Sequence, residues 1–294
     1  MTPIIKDKVQ LAKTTPVDRL TFPCYGEMKP DGVRCLAFIG VDGSVELYTR
    51  AGHRINSPNL ENCVAESFPI VRTPFMLDGE LALNEGRMGT RTQISGMVNS
   101  AIKGGCLDNL EGITYYIFDF MKREHFDSKW CTEGYESRLA QLKLRYIQFY
   151  DNVELIERRV LTSATQANNW YEDVVARGFE GLVFKPLDFM YGFKRSKDWS
   201  RLKEIKTADI KCVGIKPGNG KYDGMIGSLY CEGLVEGKFV SVSVSGMTDE
   251  LRGAMDDYFI GSTIEIKYNG VIPNSAGDGY TLFLPRFVEK RFDK

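Results

Sequence analysis

The chain has 294 residues, a net charge of −1 and 43% hydrophobic residues, enough for about two domains with sizeable cores and too apolar for global disorder. Seven cysteines without a CxxC pair argue against a disulfide framework and against a cysteine-rich zinc site. Only two histidines, His53 and His125, are present and neither has a recognisable nucleophile context, so a bound metal is expected to be hard and oxygen-ligated, such as Mg²⁺.

No apolar run is long enough to span a bilayer, and Met1–Lys13 has no apolar signal core, so the expectation is a cytoplasmic protein without membrane contact. Residues 1–28 are polar and too short for a separate domain. Phe22-Pro23-Cys24 leads into Lys29-Pro30-Asp31-Gly32-Val33-Arg34, where a lysine precedes a tight Asp-Gly turn and a strand-like run, Arg34 to Val41, follows. A lysine amine held neutral by burial or a nearby cation is a nucleophile. The bland alternative is a surface hairpin turn, for which Asp-Gly is a common pair.

Cys35–Val41 and Val45–Thr49 flank Asp42-Gly43 as a β-hairpin, followed by Arg50-Ala51-Gly52. Asn59–Phe68 predicts a short helix. Phe75–Leu83 predicts a strand with Asp78 and Glu80 on one face, by the period of two. Arg91–Ile102 has helical character. Ile113–Met121, rich in aromatic and β-branched residues, predicts a strand carrying Phe118-Asp119. Tyr135–Phe149 shows helical spacing at Leu139, Leu142 and Tyr146. Val153–Leu161 reads as a strand, Ala164–Arg177 as a helix and Gly181–Lys185 as a strand.

Between Gly192 and Lys206 lies a basic stripe of Lys194, Arg195, Lys197, Arg201, Lys203 and Lys206, suited to facing phosphates. Beyond it, Asp209–Ile215, Ile226–Cys231, Phe239–Val244, Thr263–Tyr268 and Thr281–Val288 read as strands, with a helix candidate at Thr248–Tyr258. Short strands with one helix suit a small Greek-key barrel of the OB type. The boundary is set near Lys206–Asp209, giving domains 1–206 and 207–294.

Several further residues could carry chemistry. Glu80 and Glu180 sit at strand edges, where a carboxylate can bind Mg²⁺ or a ribose hydroxyl, although most glutamates are simply solvated. Phe118 could stack on a base or pack in the core. Arg201 and Lys203 place two cations on one face of an extended strand. Arg291 and Lys294 form a basic chain end, usually a solvated tail.

Taken in order, Lys29, Arg50, Glu80, Phe118, Glu180, Arg201/Lys203 and Arg291/Lys294 resemble the motifs of covalent nucleotidyltransferases, the ATP-dependent DNA ligases, RNA ligases and mRNA capping enzymes. The DNA-ligase pattern K-x-D-G-x-R is complete, and the ending Pro285-Arg286-Phe287 through Arg291-Phe292-Asp293-Lys294 is similar to P-R-F-x-x-x-R-x-D-K. The resemblance is to the catalytic core of T-even bacteriophage DNA ligases and covers nearly the whole chain from Phe22. Two features depart from it: Arg201 stands where the family carries a lysine, and Pro217–Gly227 is short for a DNA-encircling loop. With the N-terminal DNA-binding domain of larger relatives also absent, weak independent DNA binding is expected.

The resemblance implies an α+β fold: an N-terminal ATP-grasp-like nucleotidyltransferase domain of antiparallel sheets with helices, then a C-terminal OB-fold β-barrel. It implies a monomer that seals nicked duplex DNA, in the host cytoplasm if phage-encoded, using ATP and Mg²⁺, with Mn²⁺ able to substitute. Lys29 would carry AMP, and Asp31 would lie near the 3′-hydroxyl. Arg34, Arg50, Arg201 and Lys203 would face nucleotide or nick phosphates, and Lys185 would belong to the nucleotide-binding set. Glu27 would lie at the adenine edge, with Phe118 stacked on the base and Glu80 on the ribose. Glu180 and Glu80 would hold metal, and Arg291 and Lys294 would reach the pyrophosphate when a hinge near Lys206–Asp209 closes. The alternatives are an RNA ligase or capping guanylyltransferase and, in another class, a non-catalytic OB-type nucleic-acid-binding protein.

Overall fold

The lysine turn joins two sheets. In the computed structural model, which describes residues 5, 9–15, 17–83, 86–87, 89–203, 206–253, 258–268, 270–274, 279–283 and 285–292, the chain divides into compact units Met1–Lys203 and Glu204–Lys294.

The strands of the first unit are β1 (Leu11–Thr14), β2 (Cys24–Lys29), β3 (Gly32–Ile39), β4 (Val45–Thr49), β5 (Arg54–Ile55), β6 (Phe75–Leu83), β7 (Ile113–Lys122), β8 (Val153–Leu155), β9 (Arg158–Leu161), β10 (Gly181–Pro186) and β11 (Arg195–Lys203). Its α-helices are α1 (Pro58–Ser67), α2 (Arg91–Ile102), α3 (Arg123–Ser128), α4 (Tyr135–Arg145) and α5 (Ala164–Ala176). One sheet runs β1-β11-β10-β2-β9 and the other β5-β4-β3-β6-β7-β8. The apolar run of β6 is buried at nearly every position because it is central, with β3 and β7 on either side and helices packed over it. Leu60 and Val64 of α1, and Ala167, Trp170 and Val174 of α5, present their apolar stripes to the cores at helical spacing.

Gly32 opens β3 where a Cβ atom would meet the Leu81 carbonyl oxygen at 2.1 Å, so close strand approach requires glycine here. The expected hairpin forms as β3 and β4, with Gly43 at φ +79° in its turn.

Several boundaries depart from the sequence reading. Val153–Leu161 is two strands: β8 pairs in parallel with β7, whereas β9 pairs antiparallel with β2. The chain crosses between sheets at residues 156 and 157, where Ile156 N donates to Ile117 O and Glu157 O accepts from Met28 N. The polar first 28 residues supply β1 and most of β2, because backbone pairing with β11 and β10 overrides their weak pattern. The Tyr135 helix ends at Arg145 rather than Phe149, and α3 was not signalled.

The second unit contains β12 (Lys206–Pro217), β13 (Ile226–Val235), β14 (Lys238–Val244), α6 (Asp249–Arg252), β15 (Thr263–Tyr268), β16 (Gly270–Pro273), β17 (Tyr280–Phe283) and β18 (Arg286–Lys290). Its sheet runs β16-β17-β14-β13-β12-β15-β18 and curls around a core that includes Leu229, Val240, Phe259 and Ile266. Ser245, just past β14, bridges Arg286 in β18, bringing separated parts of the sheet order together as in an OB-like barrel. The expected strand Thr281–Val288 is divided into β17 and β18 in different pairings, and β16 is additional. The expected helix Thr248–Tyr258 is a single turn, α6, with residues 254–257 outside the described set. Among the described residues, no helix is long and apolar enough to cross a membrane.

Candidate active site

A pocket of about 470 Å³ is lined from one sheet by Glu27, Lys29, Lys185, Trp199 and Arg201, from the other by Arg34, Glu80 and Phe118, and by Arg91 and Asn99 of α2. It gathers apolar walls and a few convergent charged groups, the usual character of a small-molecule site.

Lys29 ends β2, opposite Gly181 at the start of β10. This register brings the Glu180 carboxylate into an ion pair with Lys29 Nζ, while Glu180 N donates to Lys29 O at 3.1 Å. Glu80 lies on β6, paired across the sheet with Arg34 on β3 and Tyr116 on β7. Burial pushes the Glu80 carboxyl upward; Lys29, Arg34 and Arg91 pull it back, and Glu180 adds to the rise. Asp31 accepts from Gly89 N at 2.9 Å, and burial raises its carboxyl as well.

Arg34 is held side-on by Asp78, Nε to Oδ1 at 2.6 Å and Nη2 to Oδ2 at 2.5 Å. Its guanidinium lies 4.9 Å from the Phe118 ring centroid and 5.2 Å from that of Trp199. Phe118 is therefore both pocket lining and packing, edge-on to Trp199 at 5.7 Å.

Glu27 sits in a dense buried network. Its Oε1 accepts from Tyr135 OH and from Arg158 Nε at 3.1 Å, and its Oε2 meets Lys185 Nζ at 2.5 Å. Burial lowers the Lys185 ammonium and Glu27 opposes that shift. Behind this network, Arg138 grips Asp119 with bonds of 2.9 and 3.1 Å, and the Tyr135 hydroxyl oxygen lies 3.1 Å from Phe118 O, so α4 braces the strand that carries Phe118.

Arg50, exposed after β4, and Arg201, whose Nε donates to Thr14 Oγ1 at 3.1 Å, both line the pocket. Lys203 lies opposite Gly181, so Lys29, Gly181 and Lys203 align across three neighbouring strands. Arg291 belongs to the second unit, where its Nη1 donates to Glu265 at 3.0 Å. Lys294 lies outside the described residues. The sequence reading missed Trp199, Arg91, Tyr135 and Arg158. Trp199 had a readable signal, an aromatic set within a basic stripe; the others reach the site through pairings between distant segments.

A pocket between two sheets lined by an ion-paired lysine and a partly buried carboxylate, in a chain that continues into an OB-like barrel, defines a protein of nucleotidyltransferase architecture. Residues 9–203 match the family model of the ATP dependent DNA ligase domain, and residues 217–289 match that of the DNA ligase OB-like domain. The chain belongs to the ATP-dependent DNA ligase family.

It is 25% identical to the DNA ligase of Enterobacteria phage T4, over 94% of this chain and 66% of that protein. It is 27% identical to the DNA ligase of Haemophilus influenzae, over 83% of this chain and 79% of that protein. The chain thus spans slightly less than two thirds of the phage relative. Among solved structures, Pmar-Lig_Pre is similar with a TM-score of 0.81 and 22% identity, over 99% of this chain and 69% of that one. A Lig E DNA ligase structure is similar with a TM-score of 0.73 and 23% identity, over 98% of this chain and 100% of that one. These structural likenesses speak to the fold.

Proposed function

We propose that this chain is a DNA ligase that uses ATP to seal nicks in duplex DNA through an adenylated Lys29. The observation that carries the reading is Lys29, ion-paired with Glu180, lining the same pocket as Glu80. In the first step the neutral Lys29 amine attacks the α-phosphorus of ATP. A P–N bond forms, the bond to the bridging oxygen breaks, and pyrophosphate leaves. An oxygen of the nick's 5′-phosphate then attacks the adenylyl phosphorus and frees Lys29. Finally the 3′-hydroxyl attacks the 5′-phosphorus and AMP leaves.

Arg34, Arg50, Arg201 and Lys203 are assigned to phosphates, by motif position and, for all but Lys203, by lining the pocket; Lys185, which also lines it, is assigned to the nucleotide. Phe118 is assigned to the adenine face and Glu80 to the ribose or metal. Asp31 is assigned to the 3′-hydroxyl, and burial raises its carboxyl above the ordinary value. Glu27 has its carboxylate oxygens engaged by Tyr135, Arg158 and Lys185, so its influence on the base runs through Lys185 and its own backbone. Arg291 and Lys294 are assigned to the leaving pyrophosphate; Arg291 would have to exchange Glu265 for it.

Among the described residues, no cluster of three or more His, Cys, Asp or Glu could cage a metal. That fits Mg²⁺, which is commonly held by one or two carboxylates together with substrate phosphates. Glu180 and Glu80 would hold it, and its charge would favour the neutral form of the Lys29 amine.

The test is intact-protein mass, as purified and after incubation with Mg²⁺ and either ATP or GTP, for wild type and Lys29→Ala. An AMP-sized adduct in wild type alone supports the reading, and sealing of nicked DNA then separates it from an RNA ligase. A GMP adduct moves the protein to the capping class. Folded protein with no adduct would leave a nucleic-acid-binding module.

A further inference from the structure

Arg34 owes its position to more than Asp78. Tyr191, in the segment between β10 and β11, donates its hydroxyl proton to Asp78 Oδ2 at 2.7 Å. The Tyr191 hydroxyl oxygen in turn accepts from Arg34 Nη2 at 3.4 Å. A phenol has one proton and two lone pairs. With Arg34 Nη2 facing a lone pair, the proton is directed to the Asp78 carboxylate. Asp78 is fully buried, so water cannot replace that donor.

The segment carrying Tyr191 is pinned on both sides. Phe189 O accepts from Arg138 Nη1 at 3.2 Å, and Gly192 N donates to Gln10 Oε1 at 2.7 Å. The Tyr191 ring packs edge-on against Trp199 at 6.0 Å and Phe193 at 5.0 Å. The Asp78 fork takes Nε and Nη2 of Arg34 and leaves Nη1 on the opposite edge of the guanidinium, the edge that can meet a phosphate.

We propose that Tyr191 is a positioning residue for Arg34: its hydroxyl, acting through Asp78, sets the direction in which the guanidinium faces the pocket. This rests on the reading of Arg34 as a phosphate contact. The hydroxyl fixes one oxygen of the fork, and an arginine free to rock on Asp78 would meet a developing charge less often in the productive geometry. The role is therefore in the rate of phosphoryl transfer more than in ATP affinity.

Tyr191→Phe removes one oxygen and keeps the ring, so the fold is retained and can be checked by near-ultraviolet circular dichroism. Single-turnover self-adenylation across an ATP titration, and sealing of a pre-adenylated nick, are measured for wild type, Tyr191→Phe, Arg34→Ala and the double variant. The expected result for Tyr191→Phe is a roughly tenfold loss in at least one step at saturating substrate, with half-saturating ATP changed less than about twofold. In the Arg34→Ala background the same change should cost less than about twofold, because the group it positions is gone. An equal loss in both backgrounds would overturn the proposal and assign Tyr191 to packing. Tyr191→Phe as fast as wild type beside a crippled Arg34→Ala would overturn it while leaving the Arg34 reading in place. Arg34→Ala as fast as wild type would remove that reading and the proposal together.

Discussion

Lys185 Nζ stands 2.5 Å from Glu27 Oε2, with the two side chains 1% and 2% exposed. The ammonium also lies over the rings of Trp199, Tyr135 and Phe118, at 4.2, 4.6 and 5.0 Å from their centroids. Removing Lys185 leaves the buried Glu27 carboxylate only partly compensated, with Arg158 still paired to its other oxygen. Lys185→Met is therefore expected to cost about 3 kcal/mol of folding stability. Adding Glu27→Gln should recover little of that loss, because the change leaves the buried Arg158 guanidinium without this carboxylate. Urea denaturation of the two single variants and the double variant, analysed as a cycle, checks this.

Glu180 carries the strongest test of the chemistry. Glu180→Gln preserves volume but removes the charge paired with Lys29 and the proposed seat for a divalent ion. Self-adenylation should fall by about a hundredfold or more, and its dependence on Mg²⁺ concentration should shift upward. A Mg²⁺ titration of adduct formation, with Lys29→Ala as the blank, reads both effects. An unchanged Mg²⁺ midpoint would reassign the metal to other groups.

Glu80 predicts a pH dependence whose sign follows from its burial. Its folded-state carboxyl is raised above the ordinary value of 4.5, so the folded protein binds this proton more tightly than the unfolded chain does. Stability from this group is greatest below the unfolded value and is lost as pH rises through the folded value. Glu80→Gln should thus melt higher than wild type at neutral pH, with the difference closing as pH falls towards 4.5 and below. Thermal melts of both proteins across that range test it. The same variant should bind ATP less well, a stability gain at the expense of the site.

Gly32→Ala should be damaging for a steric reason. The added carbon would lie 2.1 Å from the Leu81 carbonyl oxygen, a backbone atom that cannot swing aside. A loss of about 2 kcal/mol or more is expected, with slower adenylation because the turn also carries Lys29 and Asp31. Equilibrium denaturation together with the mass assay separates the two effects.

Legibility in the sequence was greatest where the signal is local. Phe75–Leu83, Arg91–Ile102 and Thr263–Tyr268 have the bounds their patterns predict, because alternation, helical spacing and β-branched content act within one element. Asp78 and Glu80, expected on one face, both lie beside Arg34, the first hydrogen-bonded to it and the second its cross-strand partner. Val153–Leu161 failed for a non-local reason. Its residues suit a strand throughout, and only the sheets on either side divide it between two partners.

By itself, the sequence determined the inventory and order of the charged groups, the lysine before its Asp-Gly turn, and the succession of a mixed domain and a small barrel. These depend on residue type, spacing and periodicity along one chain. Only the tertiary structure decided that Glu180 meets Lys29 across 151 positions, that Lys185, Arg158 and Tyr135 engage Glu27, and that Tyr191 reaches Asp78 across 113. Such pairs are set by strand order and register, which join distant segments through backbone hydrogen bonds and shared core. No local pattern encodes which of several carboxylates a given cation will face once those sheets assemble.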